Sequence, residues 1–79
     1  MAGLFSVGTY NVRGLRNPLK RRAVFDFLSS QRLLICFLQE VHLKDRGDVV
    51  RFSREWGWGE SVWSVGDPLG WGFCLGAGR

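Results

Sequence analysis

Two polar side chains close apolar stretches of strand type: Asn11 follows Leu4 to Tyr10, and Glu40 follows Leu33 to Leu38 and Gln39. If the two stretches are parallel neighbours joined by a helix, their C-terminal ends lie on one edge of a sheet, and Asn11 and Glu40 share a pocket there. A carboxylate beside an amide oxygen, with basic residues near, suits a hard cation such as Mg²⁺ (or Mn²⁺). Such an ion takes few protein oxygens and keeps waters that a substrate phosphate can replace. A plainer reading stands beside this one: Asn11 as a turn former at a strand end, and Glu40 as the first solvated residue after a buried strand.

The elements that must position this pair can be read from the pattern of side chains. Leu4 to Val12 is rich in β-formers (Phe5, Val7, Thr9, Tyr10, Val12) and mostly apolar on both faces, which predicts a central strand. Gly14 to Pro18 reads as a loop, and Asn17-Pro18 as a helix start, with Asn at the N-cap and Pro at the first helical position. From Leu19 to about Arg32, Leu19, Ala23, Val24, Phe27 and Leu28 recur at helical spacing. They leave Lys20, Arg21, Arg22, Asp26, Ser29 and Ser30 for the other face. Leu33 to Leu38 is a continuous apolar run of strand length, as expected of a strand buried on both faces. Strand, basic helix and buried strand make a βαβ-like unit.

Further along, Leu43 to Asp48 reads as a charged loop and Val49 to Trp56 as a short helix ended by Gly57. Ser61 to Val65 alternates like a strand, Gly66 to Gly70 reads as a turn, and Trp71 to Leu75 as a returning strand, so a hairpin is expected. The glycines of the last third follow no fixed repeat, and no G-x-G-x-x-G opens a helix, so a dinucleotide site has no support.

Composition bounds what this can be. A 79-residue chain that is 46% hydrophobic, with four tryptophans, has enough apolar material for one small core of marginal stability. The net charge is +4, and Arg13, Arg16, Lys20, Arg21 and Arg22 all precede the first acid, Asp26. That cationic stretch could meet phosphate backbones, acidic protein or an anionic membrane surface, or it could be a solvated helix start; charge alone does not choose. Trp56, Trp58, Trp63 and Trp71 could stack unpaired bases, but large aromatics at hairpin positions more often fill a core. Cys36 and Cys74 lie in apolar runs without metal-ligand spacing, which predicts buried, reduced thiols. With no basic leader and no apolar run of membrane length, the expectation is an unsecreted, intracellular chain, the nucleus included, with no membrane partner.

Three stretches carry a family resemblance: Gly8-Thr9-Tyr10-Asn11-Val12-Arg13-Gly14-Leu15, then Lys20-Arg21-Arg22 with Val24-Phe25-Asp26-Phe27-Leu28, then Ile35-Cys36-Phe37-Leu38-Gln39-Glu40-Val41-His42-Leu43. Together they resemble the start of the endonuclease domain of non-LTR retrotransposons, within the endonuclease/exonuclease/phosphatase superfamily. There the first strand ends in Asn-x-x-Gly-Leu, a basic helix follows, and the second strand ends in Leu-Gln-Glu-x-His-Leu. The likeness is collinear over Thr9 to Leu43, close to half of the chain. It implies the N-terminal part of a four-layered α/β sandwich of the DNase I-like type, here incomplete. It also implies Mg²⁺-dependent (or Mn²⁺-dependent) hydrolysis of DNA phosphodiesters. Glu40 then matches the metal-ligating glutamate, Asn11 the asparagine that helps organise the metal and phosphate, and Gln39 a supporting neighbour. The basic residues Arg13, Arg16, Lys20, Arg21 and Arg22 become candidates for the DNA backbone.

The chain departs from the family pattern in four places. Leu33-Leu34 replaces a Pro-Asp, and Trp71 and Phe73 are bulky for a glycine-containing core strand. The Gly-Asp-x-Asn and Ser-Asp-His motifs that complete such sites are absent, and Gly47-Asp48-Val49 and Gly66-Asp67-Pro68 share only two letters with the former. The one histidine, His42, sits two residues after the glutamate and reads as structural. Since general acid-base assistance is worth ~10²–10⁴ in rate, little or no activity is expected of this chain alone. Three alternatives follow: a noncatalytic relic, a weak nucleic-acid-binding fragment, or a relative of small-substrate phosphatases. Oligomeric state is left open.

Overall fold

Asn17 and Pro18 start a helix as their types dictate. The Asn17 side-chain oxygen accepts from the backbone N–H groups of Leu19 (2.9 Å) and Lys20 (3.0 Å), and Pro18 occupies the first turn, where its missing N–H costs nothing. The structure, a computed structural model, describes residues 7–65 and 69–76. The elements are β1 (Val7–Asn11), α1 (Pro18–Ser30), β2 (Ile35–Gln39), α2 (Arg46–Trp56), β3 (Ser61–Trp63) and β4 (Trp71–Leu75). They form a small mixed α/β domain with one four-stranded sheet in the order β1-β2-β4-β3. The β1–β2 pair is parallel, with α1 as the crossover, while β4 runs antiparallel to both β2 and β3.

Helix α2 begins one turn earlier than its apolar spacing suggested, inside the stretch read as a loop. Asp45 is its N-cap and accepts from the Asp48 N–H at 3.1 Å, and Asp48 reaches back to the Lys44 N–H at 2.7 Å. Gly57 closes the helix in the left-handed conformation (φ +60°), as expected at that position.

Both helices cover one face of the sheet. Phe25 and Leu28 of α1 and Phe52 and Trp56 of α2 bury against Cys36, Leu38, Cys74 and Trp63. Edge-on aromatic contacts link Phe25 to Trp56 and Phe52 to Trp63, each with ring centroids 5.5 Å apart. The Trp56 indole N–H donates to the Leu75 carbonyl at 3.1 Å, which fastens α2 to β4. Cys36 and Cys74 are cross-strand partners in this core and both are free thiols. Burial pushes the Cys74 thiol up to about 12, with the neighbouring Cys36 adding to the effect, so both stay protonated and inert.

Among the described residues no element covers the opposite face. The outward rows are Val7–Ile35–Leu75, Thr9–Phe37–Phe73–Val62 and Asn11–Gln39–Trp71, and none of these side chains is charged. Phe37, Val62 and Trp71 are each nearly half exposed. Two expectations are corrected here. β2 is buried on one face only, and β1, expected in the middle, is an edge strand of the described sheet; Leu4 to Ser6 of the expected strand lie outside the described residues. Apolar character on both faces of a strand reports that both want cover, and in this chain only one face receives it. The hairpin is present, although β3 stops at Trp63, and residues 66–68 of its turn lie outside the described residues.

The buried face of α1 also differs from the expected one. Arg21, Phe25 and Leu28 face the core at i, i+4, i+7, whereas Leu19 is 81% exposed and Ala23 and Phe27 lie toward solvent. An arginine can take a core position because every polar contact is satisfied. Its Nε and Nη2 donate to the two Glu55 oxygens at 2.6 and 3.0 Å, Nη1 donates to the Leu15 carbonyl at 3.1 Å, and the guanidinium lies 4.7 Å from the Phe52 ring centroid.

This pairing predicts an acid limit. The hydrogen bond from Arg21 holds the Glu55 carboxyl below its usual 4.5 against the opposing effect of burial. Burial alone would raise Asp48, but the Lys44 N–H and the charges of Arg16 and Arg51 outweigh it and bring Asp48 below 3.8. Depressed carboxylates add stability above their unfolded-state values and lose it as pH falls through the folded-state ones. The urea midpoint should therefore be flat from pH 7 to about 5 and drop below about 4. Glu55→Gln should flatten that drop; an unchanged acid limb in this variant would exclude the pair as its cause.

Candidate functional site

Parallel register places Asn11 opposite Gln39, so the two strands end on one edge of the sheet. Pairing then continues past both strand ends: Val12 N–H to the Gln39 carbonyl (3.0 Å), Gly14 N–H to Glu40 (2.6 Å) and Leu15 N–H to Val41 (3.0 Å). On its other side the same segment donates from Val41 N–H to the Gly70 carbonyl (3.2 Å) and from His42 N–H to Leu69 (2.7 Å). Residues 40–42 are thus held between two backbone segments, with Val41 fully buried as their anchor.

Simple strand alternation would send Glu40 to the helix-covered face, opposite to Gln39. A left-handed turn prevents this. Glu40 has φ +55°, and its carboxylate returns to the Asn11 amide, which donates to Oε2 at 2.5 Å. Asn11 Oδ1 accepts from the Arg13 N–H at 3.1 Å. Flipping the amide would set oxygen against carboxylate and NH₂ against N–H, so this orientation is the one the network permits. Asn11 therefore does both things the sequence left open: it forms an Asx turn and it holds Glu40. Its oxygen accepts that one hydrogen bond and keeps a second lone pair, while its amide N–H positions the carboxylate.

His42 has φ +63° and Arg13 φ +53°, so three of the four described non-glycine residues with left-handed backbone gather at this edge, the fourth being Arg32. Each costs about 1–2 kcal/mol, which the flanking hydrogen bonds must offset, and strain of this kind concentrates at functional sites. Glu40 Oε1, the oxygen that Asn11 does not take, lies 3.9 Å from His42 Nε2, too long for a hydrogen bond. His42 Nε2 is buried and has no hydrogen-bond partner. The imidazole lies over Gly14, where a Cβ would stand 2.9 Å from Nδ1, and Gly14 itself has φ +90°. The sequence pattern drew attention to Asn11 and Glu40; His42 was marked only by its place in the Leu-Gln-Glu-x-His-Leu likeness and reads there as structural.

The other candidates are placed as follows. Gln39 sits on the open face opposite Asn11 and donates to Thr9 Oγ at 2.7 Å, with no side-chain hydrogen bond to Asn11 or Glu40. Arg13 is exposed at the edge, and the Lys20 ammonium donates to its carbonyl at 2.8 Å. Arg16 is exposed and 3.6 Å from Asp48. Arg22 is exposed on α1 and lines a cleft of about 550 Å³, between the start of α1 and the end of α2, that contains none of Asn11, Gln39 and Glu40. Arg21 is corrected: a guanidinium 3% exposed and committed to Glu55 is withdrawn from phosphate binding. Of the tryptophans, Trp56 and Trp63 are core residues, while Trp58 and Trp71 are partly exposed.

Among the described residues no group of three or more His, Cys, Asp or Glu side chains converges as a metal cage. No described helix is long and apolar enough to cross a membrane. No family model matches the chain.

Proposed function

We propose that the chain carries the cation-binding part of a divalent-metal phosphodiesterase site acting on DNA, of the non-LTR retrotransposon endonuclease type, and that these 79 residues alone do not complete the reaction. The observation that carries this reading is the Asn11–Glu40 clamp: a carboxylate turned by strained backbone to the shared edge of two parallel strands, with one oxygen fixed and the other free. The layer order supports it too. A sheet with both helices on one face and an uncharged apolar opposite face would serve as half of a four-layered α/β sandwich, in which a second sheet would cover Phe37, Phe73 and Trp71.

The residues present fit a hard cation at Glu40 Oε1. A bound Mg²⁺ or Mn²⁺ would polarise the phosphoryl oxygen and stabilise the leaving oxyanion. Asn11 keeps the carboxylate aimed, Gln39 and Thr9 fix the neighbouring strand surface, and Arg13 offers a charge at the same edge. Among the described residues no aspartate pairs with His42 to move a proton, which is why turnover is not expected. That absence also favours a second reading, a noncatalytic relic with weak DNA affinity through Arg13, Arg16, Lys20 and Arg22.

Supercoiled plasmid should remain un-nicked by the purified chain in Mg²⁺ or Mn²⁺, as in EDTA. Fluorescence anisotropy on a short DNA duplex should show retention that rises with Mg²⁺ and loses that rise in Glu40→Gln. Retention indifferent to metal and to Glu40 would leave only the relic reading; nicking that requires both would overturn the claim of incompleteness.

A further inference from the structure

We propose that His42 Nε2 is a second ligand for the cation at Glu40, which makes the site selective for imidazole-accepting ions such as Mn²⁺, Co²⁺ or Zn²⁺ over Mg²⁺. This deepens the function proposed above and rests on a cation binding at Glu40. The donor atoms are already sorted. Asn11 takes Oε2, Oε1 is left facing His42, and Nε2 is a buried nitrogen with no hydrogen-bond partner 3.9 Å away. Buried polar atoms are rarely left unsatisfied, and one aimed at a free carboxylate oxygen asks for something between them.

Distance allows an ion there. Ligand bonds of about 2.0–2.2 Å set donors ~3.4 Å apart at the tetrahedral angle of Zn²⁺ and ~3.0 Å apart at the octahedral angle of Mn²⁺. Closure by about 0.5–0.9 Å from the observed separation is within reach of two side chains 42% and 35% exposed. The backbone is built for it. Glu40 and His42 are both left-handed around the buried anchor Val41, which puts i and i+2 on one side of the edge, and Gly14 leaves room for the flat imidazole. With two protein ligands, most of the coordination sphere stays open to water and phosphate, as a site that must admit substrate requires. An imidazole nitrogen ranks Mn²⁺, Co²⁺ and Zn²⁺ above Mg²⁺, which prefers oxygen and dehydrates reluctantly.

The test is direct binding of Mn²⁺ to the 79-residue chain, read as loss of the free-ion EPR signal, with Mg²⁺ as competitor. ¹⁵N-histidine NMR in Zn²⁺ reports whether Nε2 is the liganded atom. His42→Gly removes the imidazole at a position where φ +63° suits glycine, so folding is not put at risk. Glu40→Gln keeps the shape and removes the charge. We expect Mn²⁺ to outcompete Mg²⁺ in the parent chain. His42→Gly should weaken Mn²⁺ by at least the roughly 10-fold that loss of even a supporting partner costs and erase the preference, and Glu40→Gln should abolish binding. Equal Mn²⁺ and Mg²⁺ binding, unchanged in His42→Gly but lost in Glu40→Gln, would overturn the role of His42 and leave the cation at Glu40 standing. No binding at millimolar concentration would overturn both.

Discussion

Arg21→Ala should unfold a large fraction of the chain, while Lys20→Ala and Arg22→Ala, its sequence neighbours, should change stability by less than about 0.5 kcal/mol. Arg21 is 3% exposed, and its loss strands the Leu15 carbonyl, the Glu55 carboxylate and one side of the Phe52 ring at once. Removing one partner of a buried ion pair costs about 3–5 kcal/mol, against a total of roughly 4–12 kcal/mol for a domain of this size. Glu55→Ala should cost somewhat less, about 2–4 kcal/mol: it leaves the buried guanidinium without its carboxylate, but water can enter beside the vacated position, where the Glu55 side chain is 40% exposed. Urea denaturation followed by tryptophan fluorescence separates the four variants. Arg21→Met, which keeps the aliphatic stem, should recover part of the loss. If Arg21→Ala instead folds normally and merely weakens DNA retention, Arg21 belongs to the basic binding surface and the structural role given to it here is wrong.

Gly72→Val is the second substitution with a large expected cost. Valine is the better strand former, so propensity alone predicts a gain for β4. In the structure a Cβ on Gly72 would run into the six-membered ring of Trp63 and stand 3.0 Å from the Val62 carbonyl. Trp63 cannot give way cheaply: it is buried, packs edge-on against Phe52, and its indole N–H donates to Ser61 at 2.9 Å. Overpacking of this kind costs about 1–3 kcal/mol, and more if the indole is expelled. Trp63→Leu in the same chain should recover part of the loss, giving a coupling energy in a double-mutant cycle. A Gly72→Val chain as stable as the parent, or costs that simply add, would show that Trp63 does not need the space that glycine leaves.

The local signals held where a short stretch of chain carries all the physics. The N-cap at Asn17, the stop at Gly57, the parallel pairing of two strands through a helix and the hairpin of β3 and β4 all follow from residue type and spacing. The juxtaposition of Asn11 and Glu40 was legible for the same reason, since parallel strands ending in register must bring their terminal residues to one edge. The buried face of α1 was misread because Arg21 looks solvent-bound until Glu55, 34 residues away, is brought to it. The start of α2 was misread because aspartates that cap look the same in sequence as aspartates in a loop.

What the sequence by itself determined is the order of the elements, the edge on which the polar pair sits and the apolar character of both sheet faces. Only the tertiary structure decided which face is covered, that Asn11 aims Glu40 through its N–H while its oxygen accepts from the Arg13 turn, and that His42 stands over Gly14 with an unpartnered nitrogen toward the carboxylate. The division has one physical cause. Propensity and periodicity are properties of a few adjacent residues, whereas left-handed backbone at Arg13, Glu40 and His42 is unfavourable locally and persists only because distant segments hydrogen-bond it in place.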